Sequence, residues 1–248
     1  MGAITVITSG KGGVGKSTVT TGLGIALANR GRRVLLIDGD AGLGCLDYML
    51  GISEEMVFDI ADVVSGSVEP IKAVYSCPFV QNLFLLPAPN SQDDVISPDI
   101  MKQLVSVLAR YYDHVLIDCP AGVGGGFLSA VASAQRALVV STPDPVCLRN
   151  ANRARVLLEQ AGIAQQRLVV NRFSGRNFHL QGFYPDLDSV IDSAGIRLIA
   201  VVPEDPLLAA AAAKSSPAPQ NSAGTMALSR LAARLEGEQV PLACVQKF

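Results

Sequence analysis

The chain has 248 residues, 49% of them hydrophobic, with a formal charge of −2 and a pI near 5.7. That balance excludes recruitment of nucleic acid or anionic lipid by overall charge, while the length suits one large α/β domain. No basic-then-apolar leader opens the sequence and no apolar run reaches the roughly 18 residues of a membrane span, so a soluble, cytoplasmic protein is expected.

The first β-branched run, Ile4 to Thr8, predicts a strand. A glycine-rich stretch, Ser9 to Thr18, follows it and leads into a helical pattern with Val19, Leu23, Ala26 and Leu27 on one face. Strand, glycine-rich turn and helix is the setting of a phosphate-binding loop. Gly10, Gly15, Lys16 and Ser17 fit the P-loop spacing. The glycines let backbone N–H groups point inward, and the helix adds the positive end of its dipole. Lys16 reaches the β- and γ-phosphates in such a loop, and Ser17 presents a hydroxyl to magnesium. Gly10, Gly12 and Gly15 also satisfy the dinucleotide fingerprint, with Asp38 as its acidic residue. A pyrophosphate bound that way gives Lys16 and Ser17 no role, so the triphosphate reading is preferred.

Asn29-Arg30-Gly31 reads as a helix stop, and Arg33 to Asp38 as a buried parallel strand ending in an acid. Gly39 to Gly44 is a glycine-rich loop in which Asp38 and Asp40 can both face a ligand. Residues 45–81 carry less signal, apart from a short helix over Phe58 to Val64. Asn82 to Leu86 predicts a strand stopped by Pro87 and Pro89. Pro98 opens a helix to about Arg110, with Ile100, Leu104, Val107 and Leu108 as its apolar face. His114 to Asp118 has the Walker B form, in which the carboxylate supports magnesium. Cys119 to Gly126 reads as a flexible segment whose Gly122 N–H can sense a γ-phosphate.

Further strands are expected over Ala137 to Ser141, Arg167 to Arg172 and Arg197 to Val202, with a helix over Pro145 to Gln160. The arginines Arg149, Arg153 and Arg155 make the outer face of that helix basic. Asn171 sits at a strand's carboxyl end, where its amide can pair with adenine or simply form a turn. Leu207 to Ala213 and Gly224 to Leu235 predict two more helices, the second packing through Leu228, Leu231 and Leu235. Strands alternating with helices imply an α/β fold: a single doubly wound, mostly parallel sheet with helices on both faces. Residues 1–236 are expected to form one domain and 237–248 a flexible tail. The five cysteines have no C-x-x-C pair, so neither a disulfide framework nor a zinc site is expected, although Cys45 and Cys119 fall in the nucleotide-facing loops and leave a bridged metal cluster conceivable.

Lys11 to Thr18 (Lys11-Gly12-Gly13-Val14-Gly15-Lys16-Ser17-Thr18) resembles the deviant Walker A loop of the MinD/ParA family of P-loop ATPases, whose added feature is the early lysine. Ile37 to Asp47 is similar to switch I of the family's MinD branch, and Asp118 to Gly122 to Walker B and switch II. Asn171-Arg172 and Pro203-Glu204-Asp205-Pro206 match in kind and order. The resemblance implies a P-loop NTPase fold and a slow ATPase that dimerises on ATP and magnesium, serving division-site placement or other intracellular positioning with an activating or cargo protein. It implies catalytic roles for Lys11, Lys16 and Asp40, and magnesium support by Ser17, Asp38 and Asp118. It implies ATP contacts from Gly10, Gly12, Gly13, Val14, Gly15, Lys16, Ser17, Thr18, Gly122, Asn171, Arg172, Pro203, Glu204 and Asp205. Val240 to Phe248 departs from a basic amphipathic membrane helix, having Pro241 and a single lysine, so membrane association is weakly supported. The alternatives are a ligase or synthase of the same fold and a cysteine-based cluster carrier or reductase.

Overall fold

The computed structural model describes residues 1–91, 96–122 and 124–242. Strand β1 (Ala3–Thr8) leads through the glycine loop into helix α1 (Lys16–Asn29) and then β2 (Val34–Asp38). Helices α2 (Leu46–Met49) and α3 (Ile60–Val64) precede β3 (Tyr75–Ser76), β4 (Leu83–Leu86), α4 (Pro98–Leu108) and β5 (His114–Asp118). Next come α5 (Gly125–Val131), β6 (Arg136–Ser141), α6 (Pro145–Gln160) and β7 (Gln165–Phe173). The described chain closes with α7 (Gly175–Gln181), α8 (Leu187–Ala194), β8 (Leu198–Pro203), α9 (Pro206–Ala213) and α10 (Ala223–Leu235).

The strands form one sheet in the order β3-β4-β2-β5-β1-β6-β7-β8, parallel throughout except for β3 against β4. Side chains alternate across a strand, so each strand feeds two cores. Ile4, Val6, Leu35, Ile37, Val115 and Ile117 face one side, under α4, α5, α6 and α8. Ile7, Val34, Leu36 and Leu116 face the other, under α1 and α10. Gly22 lets α1 approach α10, since a Cβ there would come within 2.4 Å of Leu228 Cδ1. Leu228 and Leu231 are buried as expected. The doubly wound sheet is therefore the one the sequence implies.

Several expectations need correcting. Among the described residues the sheet has eight strands, one more than expected, because the two-residue edge strand β3 is too short to leave a pattern. Helices α2, α7 and α8 were not anticipated, and α3 starts at Ile60 behind an Asp59 cap, not at Phe58. The segment expected to be flexible up to Gly126 already becomes helical at Gly125. Helix α4 buries Met101, Val105 and Leu108, whereas Ile100 and Val107 are 42% and 48% exposed. The apolar residues of α4 outnumber its buried positions, so periodicity was right for Leu108 and the half-buried Leu104 and wrong for Ile100 and Val107. At the end of α10, Glu236 receives Arg30 at 2.7 Å and also pairs with Arg32, while Glu238 pairs with Arg30. Arg234 donates to the carbonyls of Val240 and Ile199, each at 2.7 Å. Residues 237–242 thus make specific contacts, and 243–248 lie outside the described residues.

Candidate nucleotide site

The glycine loop is shaped by backbone freedom. Gly13 (φ 79°) and Gly15 (φ 89°) are left-handed, which side chains resist, and Gly15 caps α1. The loop is also gripped from two sides. A Cβ on Gly10 would fall 2.1 Å from the Asn150 carbonyl oxygen on α6, and one on Gly15 would fall 2.4 Å from Asn171 Nδ2. Asn171, buried at the end of β7, donates from Nδ2 to the Val14 carbonyl at 2.8 Å. That bond anchors the loop to β7 and uses one of the two Nδ2 hydrogens.

The two lysines of the loop face differently. Lys16, in the first turn of α1, is 8% exposed; Lys11 stands on the solvent side. Gly12 and Gly13 are exposed beside Lys11, while Val14 is buried beneath them, and Ser17 and Thr18 are half-buried in the first turn of α1. The Ser17 hydroxyl donates to Asp118 Oδ2 at 2.6 Å. Thr20, one turn further on, is fully buried and its Oγ1 lies 2.8 Å from Asp118 Oδ1 and 3.0 Å from the Lys16 carbonyl.

Asp118 and Asp38 end adjacent strands and stand in register. Asp38 Oδ1 accepts from the Asp40 N–H at 3.0 Å, and Oδ2 from the N–H groups of Cys45 and Leu46, each at 3.1 Å. Burial first, then the negative charge of Asp118, pushes the Asp38 carboxyl up to about 7 despite those three donors. Burial likewise pushes Asp118 up to about 6, against the pull of Ser17, Thr20 and Lys16. Two desolvated carboxylates beside a hydroxyl form a hard oxygen donor set, which a magnesium ion would neutralise. The residues therefore fit the metal.

Asp40 is half-buried, and among the described residues its carboxylate has no hydrogen-bond or ion-pair partner. Its carbonyl accepts from Leu43 N–H at 3.1 Å, so it opens a turn and still presents a free acid. Gly122, left-handed at φ 88°, lies in the loop before α5, next to residue 123, which is not described. Arg172 and Glu204 form an exposed ion pair at 3.5 Å, and the Glu204 N–H donates to Phe173 at 2.9 Å. Pro203 ends β8. The Asp205 carboxylate caps α9 and accepts from Gly224 N–H at 2.7 Å, so its side chain is committed to structure.

A family profile described as ParA, NUBPL iron-transfer P-loop NTPase, matches residues 1–232. The chain belongs to the ParA family of P-loop NTPases. It is 39% identical over 247 residues to the septum site-determining protein MinD of Thermotoga maritima, covering 98% of this chain and 91% of that protein. A MinC:MinD cell division protein complex from Aquifex aeolicus superposes with a TM-score of 0.89 at 36% identity, over 97% of this chain and 98% of that one. MinD of Pyrococcus horikoshii, solved with Mg-ADP, gives 0.86 at 33% identity over 96% of this chain and 97% of that one.

As a ParA-family ATPase, the protein gathers Lys16, Ser17, Asp38, Asp40 and Asp118 at one end of the sheet, on the P-loop and at the carboxyl ends of β2 and β5. Thr20 belongs to the same cluster and was missed; its spacing of three from Ser17 on a helix was the available signal. Asn150 was missed as well, since nothing local marks a helix residue that abuts a distant glycine. The cluster-carrier alternative gains nothing from the site. Burial holds Cys119 fully inside and pushes its thiol up to about 12, and among the described residues no group of three or more His, Cys, Asp or Glu is placed to hold a metal.

Proposed function

We propose that this ATPase is an ATP- and magnesium-controlled dimerisation switch in division-site placement, working with a partner protein of the MinC kind or another activator or cargo. The observation that carries it is the division of labour between the two lysines: Lys16 buried at the mouth of α1, Lys11 exposed on the outer lip. A buried Lys16 serves its own subunit's phosphates. An exposed Lys11 is available to the phosphates of a second subunit, as an arginine finger is.

In this reading the N–H groups of Gly12 to Thr18, with Gly10 giving the clearance, cradle the phosphates. Ser17 and Asp118 hold magnesium with Asp38 behind them, and the ion, when bound, neutralises charge on the phosphoryl oxygens. Asp40 orients the water whose oxygen bonds to the γ-phosphorus as the bond to the bridging oxygen breaks, and ADP departs with that electron pair. Lys16 and Lys11 stabilise the charge that develops on the transferred group. Gly122 reports the γ-phosphate to the loop before α5. Asn171 and Arg172, with the backbone of Pro203, Glu204 and Asp205, flank the adenine. Residues 1–236 act as the ATPase domain, with 237–248 as an appended tail. No helix among the described residues is long and apolar enough to cross a membrane, and any surface association is peripheral.

Phosphate release measured on the wild type and on Asp40→Ala tests the hydrolysis. The variant should keep ATP binding and lose at least about tenfold in turnover. Undiminished release from Asp40→Ala would remove Asp40 from the mechanism.

A further inference from the structure

An apolar groove opens at the end of the sheet away from the nucleotide loops. It holds about 460 Å³ between the segment 69–74 and the segment 107–112, which ends α4 and leads towards β5. Ile71, Val74, Val107 and Tyr111 supply its apolar wall, and Ile71 and Tyr111 are 71% and 64% exposed. Arg33, the residue before β2, is the wall's cation. Its backbone is locked: its N–H donates to Asp113 Oδ2 at 2.8 Å, and its carbonyl accepts from the N–H groups of Asp113 and His114 at 2.8 and 3.3 Å. Its guanidinium lies over the rings of Phe84 and Tyr112, 5.5 and 5.4 Å from their centroids, and those two rings pack edge to face. These contacts hold the group in place without using its N–H donors, and among the described residues none of those donors has a hydrogen-bond or ion-pair partner. Lys72 and Arg110, each next in sequence to a wall residue, are exposed and likewise unpaired among the described residues; Glu69 is the wall's acid and is exposed. The surroundings are therefore positive in a chain whose total charge is −2.

We propose that this groove binds a small carboxylate whose apolar body is about the size of two fused rings. A cavity of about 150 Å³ accommodates benzene, so this one has room for a larger body and a short acid arm. A guanidinium with all its donors free matches a carboxylate through two parallel N–H···O bonds, and it offers an amine nothing. The aliphatic and tyrosine side chains take the apolar body out of water. Size argues against a protein in the groove: nine residues line it, whereas a stable protein interface takes about 20–30 a side. The site is independent of the proposed switch, since Arg33 opens the end of β2 opposite Asp38.

The test is an NMR titration of the nucleotide-free full chain with naphthylacetate and, as the charge-reversed control, naphthylethylamine. Naphthylacetate should give saturable shifts at residue 33 and over 69–74 and 107–112, with a Kd of about 1 mM, as befits so small a ligand. Naphthylethylamine should bind at least about tenfold more weakly. Arg33→Gln should weaken naphthylacetate about tenfold, the worth of its charge-assisted hydrogen bonds at an exposed site. Val107→Trp, which fills the groove, should abolish binding. Arg33 and Val107 are both exposed, so both variants should fold. Absence of saturable shifts, equal binding of the amine, unchanged affinity in Arg33→Gln, or binding that survives Val107→Trp overturns the site. Shifts at the same residues when the unliganded protein is diluted would assign the groove to a second copy of the chain and overturn it too. Each of these failures leaves the ATPase reading standing, and absent phosphate release leaves the groove standing.

Discussion

Thr20→Val isolates the least obvious part of the proposed magnesium support. Valine matches the shape of threonine, so the fully buried position stays filled and only the hydroxyl is lost. Its single hydrogen is shared between two acceptors, through bonds of 2.8 Å to Asp118 Oδ1 and 3.0 Å to the Lys16 carbonyl. The first is charge-assisted, and its loss leaves a buried carboxylate oxygen without its donor, a cost of about 1.5–3 kcal/mol. Thr20 also fixes the rotation of Asp118 opposite Ser17. Removing such an orienting partner costs roughly 10–100-fold in metal affinity. Phosphate release followed against magnesium concentration at fixed ATP should shift its midpoint upward by that factor, and urea melts should lose the stability. Thr20→Ser, which restores the hydroxyl, should recover both. A Thr20→Val protein with wild-type magnesium dependence and an unchanged melt would refute the assigned role of Asp118.

The pH dependence of the metal-free protein follows from the same carboxylates. Asp38 and Asp118 have raised values in the folded state, about 7 and about 6, against 3.8 as the ordinary value. The folded state therefore binds more protons than the unfolded chain above pH ~4, so stability falls as pH rises to ~7, by at most about 1.4 kcal/mol per pH unit for each group. His114, lowered chiefly by burial, opposes this below its ordinary 6.5, but two carboxylates outweigh one imidazole. Urea melts in chelator should give lower stability at about pH 7 than at about pH 5, and a flat or rising profile would contradict the burial argument. Asp205→Ala should cost about 1–3 kcal/mol, because one side chain caps α9 and ties Gly224 to β8's exit. Asp205→Asn should recover part of the α9 cap in thermal melts, and equal losses in both would assign the effect to charge alone.

The central strands were legible because they are apolar runs that end in chemistry: Asp38 and Asp118 mark strand ends in the sequence and stand in register in the sheet. The P-loop was legible for the same reason, its glycines answering to left-handed backbone and close approach. What the sequence hid is pairing at long range. Asn171 looked equally like a turn residue or an adenine reader, and its actual tie to Val14 joins β7 to the loop after β1, two strands away in the sheet. Arg136 lay outside the strand expected over Ala137 to Ser141; it opens β6, its Nε donates to Thr5 Oγ1 at 2.6 Å and another of its nitrogens to the Leu235 carbonyl at 3.1 Å. The face of α4 was misread because Ile100 and Val107 are apolar yet exposed, and hydrophobicity alone cannot say which apolar residues find a partner.

In the proposed switch a second subunit completes the site. Light scattering of the Asp40→Ala protein with ATP and magnesium tests this most directly, since loss of hydrolysis should trap the bound state. The prediction is a mass of twice the 26.0 kDa chain, reverting to a single chain when Lys11→Ala is added. A single-chain mass in Asp40→Ala, or a dimer that survives the loss of Lys11, would contradict it.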